Sequence, residues 1–147
     1  MNKKNILIFS TAFIIVLLDQ LTKFLVRQNF QFDESIPIIK NVLHLTYVTN
    51  TGSAFGLFKG LNLIFIIFSI AVIIAIFYYL KKIVNNEKFL QLAVGLLLGG
   101  TFGNLIDRLF YGAVTDFIDF RIWPVFNIAD SAVTISVILL IILLWKK

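Results

Sequence analysis

The chain has 147 residues, 59% of them apolar and 14% charged, with sixteen Phe, no Cys and a single His, His44. A chain this short cannot bury that much apolar surface in its own core, so a single domain with the bilayer as its solvent is expected. The lack of Cys excludes disulfides and a thiolate nucleophile, one His excludes a zinc site of several imidazoles, and a net charge of +5 carried at the ends of apolar runs argues against a nucleic-acid partner.

Four apolar runs follow in order, near residues 5–26, 61–80, 89–106 and 128–145. Each approaches the ~20 residues that a helix needs to cross ~30 Å of hydrocarbon. The first begins like a signal peptide, with Lys3 and Lys4 before an apolar stretch. No small-residue cleavage site closes it, and Asp19, Lys23 and Arg27 follow, so it reads as a retained helix. Segment 28–60 contains VLHLTYVT at Val42–Thr49, with Ile36–Lys40 as a partner broken by Pro37. A small β element at the membrane surface is expected there. The second run carries no charge, and the third is interrupted by Gln91 and four Gly. The segment Arg108–Asn127 contains Gly112 and Pro124 and cannot be one continuous helix. The fold class is therefore an all-α membrane protein of four transmembrane helices with a small β element and irregular segments at one face.

Lys3, Lys4, Lys81, Lys82, Lys88, Lys146 and Lys147 fall on one side of such a bundle, seven of the thirteen basic residues. The positive-inside rule makes that side the cytoplasm and puts both termini there. Seven of the eight acids, Asp19, Asp33, Glu34, Asp107, Asp116, Asp119 and Asp130, then lie at the outer face. Acids contribute little to orientation, so their clustering points to a site at that face.

Several polar residues sit where lipid should not tolerate them. Asp19 and Lys23 share a helix face, either as an interfacial ion pair or as a brace for a site. Gly95, Gly99 and Gly103 form a small-xxx-small stripe that allows close helix approach and would bring Asn104 and Asp107 against a neighbour. Asn127 and Asp130 suit a helix N-terminus as cap and first-turn acid, yet Asp130 lies in Ile128–Val133, which should already be entering the membrane. Asp107, Asp116, Asp119 and Asp130 are all available at one level. Two carboxylates brought close there cannot both ionise easily, and such a pair can act as acid and base on water attacking a peptide bond. A His44–Ser53 nucleophile pair would lack an orienting acid. Arg108 is either a positioning fork for peptide carbonyls or a snorkelling interfacial cation.

Four blocks then stand out in order: Asp19-Gln-Leu-Thr-Lys23; Asn50-Thr-Gly-Ser-Ala-Phe-Gly56; Gly99-Gly-Thr-Phe-Gly-Asn-Leu-Ile-Asp-Arg108 running on to Val114-Thr-Asp-Phe117; and Phe126-Asn-Ile-Ala-Asp130. Together they resemble the bacterial lipoprotein signal peptidases (signal peptidase II) over essentially the whole chain. The resemblance implies a membrane-embedded aspartic endopeptidase of the bacterial cytoplasmic (inner) membrane, multi-pass, with its active site near the outer leaflet. It implies a diacylglyceryl-modified prolipoprotein substrate, cleaved just before the lipidated Cys. The catalytic pair would be Asp116 and Asp130. Asn50, Gly52, Asn104, Asp107, Arg108 and Asn127 match substrate-binding or supporting positions, and Asp19 and Lys23 a structurally important pair. Ser53 and Thr101 stand where the family often has Ala, and of Asp116 and Asp119 only the first aligns. No metal and no cofactor are expected, membrane lipids and the prolipoprotein are the partners, and the protein is expected to be a monomer. The alternatives are a small proton-coupled transporter and a purely structural subunit. Transporter sites lie near the midplane on broken helices, whereas these acids lie at one end, and a structural subunit would not explain their clustering.

Overall fold

The structure, a computed structural model, describes residues 3–52, 61–83 and 87–145. Among the described residues, four helices are long and apolar enough to cross a membrane. They are α1 (Lys3–Asn29), α2 (Asn62–Tyr79, continued by a 3-10 turn over Leu80–Lys82), α3 (Lys88–Tyr111) and α4 (Ile128–Trp145). α1 and α3 run past their expected ends at residues 26 and 106. Hydropathy marks the edge of the hydrocarbon, whereas the helix continues through polar Arg27 and Arg108 until its own stop signal. For α3 that signal is Gly112, whose φ of 73° gives the left-handed C-cap that a Cβ disfavours.

α3 is the central helix, in contact with α1, α2 and α4. Its glycines explain why. A Cβ on Gly95 or Gly99 would meet Ile8 O or Ala12 O of α1 at 2.8 Å. Gly100, outside the expected stripe, faces α4, where a Cβ would lie 2.5 Å from Ala129 O. Gly103 makes room for the Asp19 carboxylate. The other three helices turn large apolar side chains outward, including Phe13, Leu17 and Phe24 of α1, Leu63, Ile67 and Phe68 of α2, and Ile138, Ile141 and Leu144 of α4. Buried positions instead hold Asp19, Lys23, Asn104, Asp107, Asp116 and Asn127. Apolar outside and polar inside is the arrangement a bilayer imposes.

Val42–Thr49 and its partner form the expected pair, as β1 (Ser35–Ile39) and β2 (Leu43–Asn50), and the two run antiparallel. Pro37 is accommodated because β1 is an edge strand. A third strand, β3 (Val114–Asp119), was not expected, and it pairs antiparallel with β2. It sets the register that matters: Val48 opposite Asp116 and Asn50 opposite Val114. Side chains alternate along a strand, so Asp116 and Asp119, three residues apart, point to opposite faces of the sheet.

Candidate active site

Asp130 enters the site from the first turn of α4. Asn127 caps that helix, with Oδ1 accepting from the Asp130 N–H at 2.8 Å while Asp130 Oδ2 accepts from the Asn127 N–H at 3.3 Å. This is a reciprocal capping box. Capping and a place at the site are thus not alternatives for Asp130. The other carboxylate oxygen, Oδ1, accepts from Asn104 Nδ2 at 2.7 Å.

Asn127 also reaches the second aspartate. Its Nδ2 donates to Asp116 Oδ1 at 2.6 Å, and Asn50 Nδ2 donates to Asp116 Oδ2 at 3.2 Å. Asn50 Oδ1 accepts from the Gly52 N–H at 3.0 Å, which fixes the turn after β2. Asp116 and Asp130 are therefore joined through one residue, Asn127. Burial, and then the neighbouring Asp130, push the Asp116 carboxyl up to about 7.

Beneath the pair lies a closed ionic cluster. Lys23 Nζ is 2.8 Å from Asp19 Oδ2 and 3.4 Å from Asp107 Oδ2, and it donates to Asn104 Oδ1 at 3.0 Å. Because Asn104 Oδ1 faces Lys23, its Nδ2 must face Asp130. Asp19 Oδ1 accepts from the Ala129 N–H at 2.9 Å and so pins the start of α4. Asp107, read from sequence as one of several acids at the site level, belongs to this cluster. It accepts from the Thr115 N–H at 2.9 Å and lies 3.7 Å from Arg27. The ion-pair and brace readings of Asp19–Lys23 thus describe one arrangement.

Arg108 lines a cavity of about 540 Å³ with Asn50, Gly52, Phe65, Phe126 and Asp130. Its guanidinium carbon lies 5.1 Å above the Phe65 ring, and Nε has no hydrogen-bond partner among the described residues. Placed at the cavity, Arg108 is in position for the positioning role. Asp119 lies on the far sheet face, hydrogen-bonded by Thr46 at 2.8 Å and by the Arg121 N–H at 2.7 Å. Burial pushes its carboxyl upward, but those donors outweigh it and hold it below the ordinary value. His44 Nδ1 meets Ser35 Oγ at 3.1 Å; Ser53 lies outside the described residues.

Two contributors were not singled out from sequence. Gln20 Nε2 contacts Asp19, Gly103 O and Asp107 at 3.1, 3.0 and 3.1 Å. Thr115 accepts through Oγ1 from Arg27 at 3.0 Å and through its carbonyl from Asn127 at 3.3 Å. A glutamine inside a membrane helix was the available signal for the first. Nothing marked the second until β3 was known.

The family model for signal peptidase (SPase) II matches residues 11–146. The chain belongs to the signal peptidase II family. It is 47% identical over 143 residues to the lipoprotein signal peptidase of Halothermothrix orenii, covering 96% of this chain and 97% of that one. To that of Moorella thermoacetica it is 46% identical over 129 residues, covering 88% and 86%. Two solved structures of bacterial membrane enzymes, obtained by the in meso method, superpose with TM-scores of 0.89 and 0.86 at 39% identity. They cover 95% of this chain and 87% and 93% of theirs. As a member of this family the protein is a membrane peptidase, and the transporter reading finds no support among these relatives.

Proposed function

We propose that residues 1–147 form a single membrane protease domain that removes the signal peptide from diacylglyceryl-modified prolipoproteins, cutting just before the lipidated Cys. The observation that carries this is the Asp116–Asn127–Asp130 linkage beside one cavity. Asp116, almost fully buried, holds the shared proton near neutral pH and donates it to the scissile carbonyl. Asp130, at the positive end of α4, takes a proton from the attacking water. The tetrahedral intermediate then collapses as the leaving amine is protonated, with no acyl-enzyme. Asn104 and Asn127 hold the two carboxylates, Asn50 and Gly52 shape the cavity beside Asp116, and Arg108 steadies peptide carbonyls or developing negative charge. Asp19, Lys23 and Asp107 brace the platform. No metal or cofactor takes part.

The same reading makes the protein a monomer in the bacterial inner membrane, with both termini cytoplasmic and the sheet and dyad at the outer leaflet. The substrate's acyl chains remain in lipid while the peptide reaches the aspartates. The test is cleavage of a lipidated prolipoprotein by purified protein. Asp116→Asn and Asp130→Asn are each expected to lower turnover by at least about a thousandfold, ~4 kcal/mol of barrier, while inserting and folding normally. Asp119→Asn retains substantial activity. Near-native turnover from either dyad variant refutes the assignment.

A further inference from the structure

Beyond the dyad, the least expected surface is the return from β3 to α4. Phe126 pairs back onto Ile118: the Phe117 and Ile118 N–H groups donate to Phe126 O at 3.0 and 2.8 Å, and the Phe126 N–H returns to Ile118 O at 3.1 Å. Residues 120–125 are therefore a hairpin-like excursion with a fixed base. Its turn is fixed as well. Asp119 accepts from the Arg121 N–H at 2.7 Å and from its guanidinium at 3.0 Å, and Arg121 takes a left-handed φ of 66°. This tied turn presents Ile122 and Trp123 at 94% and 61% exposure, while Phe120 stacks on Phe126. Two large apolar side chains at the tip of a well-held turn would be costly in water.

The cavity says what covers them. Trp123 lines the same cavity as Val133, Thr134 and Ile135, which lie in the second turn of α4. At ~1.5 Å per residue those positions are roughly 8–10 Å into a membrane-spanning helix. A cavity reaching that depth borders lipid, and the 120–125 excursion forms its lip. Arg121 lies beside the apolar pair, its side chain half exposed and paired through Nη1 with Asp119 at 3.0 Å.

We propose that the 120–123 turn is a lipid-binding hook: Ile122 and Trp123 insert into the leaflet beside the dyad, with Arg121 at phosphate level. The cavity mouth is thereby held at the bilayer surface, open to a substrate whose acyl chains stay in lipid. The insertion itself rests on the helices spanning a membrane, not on the catalytic assignment, so it is tested without turnover. Trp123 and Trp145 are the two tryptophans of the chain, and Trp145→Phe leaves Trp123 as the reporter. In vesicles of phosphatidylcholine brominated near the ester end of the chains, without substrate, Trp123 emission is expected to be quenched about twofold or more relative to chain-end bromination, as for an interfacial indole. Acrylamide should quench it weakly. Ile122→Asp should reverse both results. Free access to acrylamide with no effect of bromine overturns the proposal. So does a Trp123 shielded from both quenchers, which would assign this surface to a protein partner, or one that meets lipid bromine only after substrate is added.

Discussion

Asn127 carries more of the proposed chemistry than its size suggests, and replacing it separates the site from the scaffold. Its side-chain amide donates to Asp116 at 2.6 Å, while its side-chain oxygen caps α4 by accepting from the Asp130 N–H at 2.8 Å. Ser keeps a capping oxygen but is too short to reach Asp116, and Ala loses both. The bond to Asp116 favours the carboxylate, so its loss raises the pH at which the pair gives up its last proton. A hydrogen bond to a charged group contributes about 1.5–3 kcal/mol, or roughly 1–2 pH units. From about 7 in the native protein, the alkaline limb of kcat/KM should therefore move up by that amount in both variants. Turnover at the optimum should fall about 10–100-fold as Asp116 loses its placement. Thermal stability should fall in both variants, and further in Asn127→Ala by the ~1 kcal/mol of a helix cap. The assay is cleavage of a lipidated prolipoprotein between pH 5 and 10, beside thermal unfolding. An alkaline limb that stays in place, or moves down, in Asn127→Ser would refute the hydrogen-bond account of the dyad.

Asp116 also makes stability depend on pH. Its folded value of about 7 lies above the ordinary 3.8, so the folded state binds more protons between those limits and stability falls as pH rises through that window. Asp116→Asn should remove part of that fall, seen as a shallower decline of Tm from pH 5 to 8. Arg108→Lys keeps the charge but not the planar fork. It should lower cleavage at least about tenfold, ~1.4 kcal/mol, whereas an unchanged rate would make Arg108 an anchoring group. A Cys introduced at Asp33 should react with a membrane-impermeant thiol reagent in intact cells, and one at Lys82 should not; the reverse pattern would invert the proposed topology.

The four helices could be read from the sequence because hydropathy is a direct imprint of the bilayer, and the proposed dyad could be named there because its motifs fall in order along those helices. What stayed hidden was the sorting of the acids. Val114–Asp119 is too short and too polar to read as a strand, and without β3 there was no alternation to send Asp116 and Asp119 to opposite sides. Asp107 looked equivalent to them until Lys23, 84 positions earlier, proved to be its partner. Gly100 was overlooked because a stripe of spacing four describes one interface, whereas α3 has neighbours on several sides.

Once sorted, the charges explain why the pair should work with one proton. Asp19 and Asp107 are matched by Lys23 and Arg27, so the lower cluster is neutral in total. Among the described residues, the charges left to balance one another are Asp116, Asp130 and the Arg108 guanidinium, which is close enough to feel both carboxylates. With both carboxylates ionised that group carries a net −1, and with both protonated a net +1. Only the singly protonated pair is neutral, and a water-poor environment at the membrane surface favours neutrality most. Arg108→Gln makes that accounting testable: without the cation, the doubly protonated state becomes the neutral one. The pH range over which the pair holds a single proton should then shift to more alkaline values, and an acid limb of kcat/KM that stays where it is in Arg108→Gln would show that Arg108 does not set the charge of the dyad.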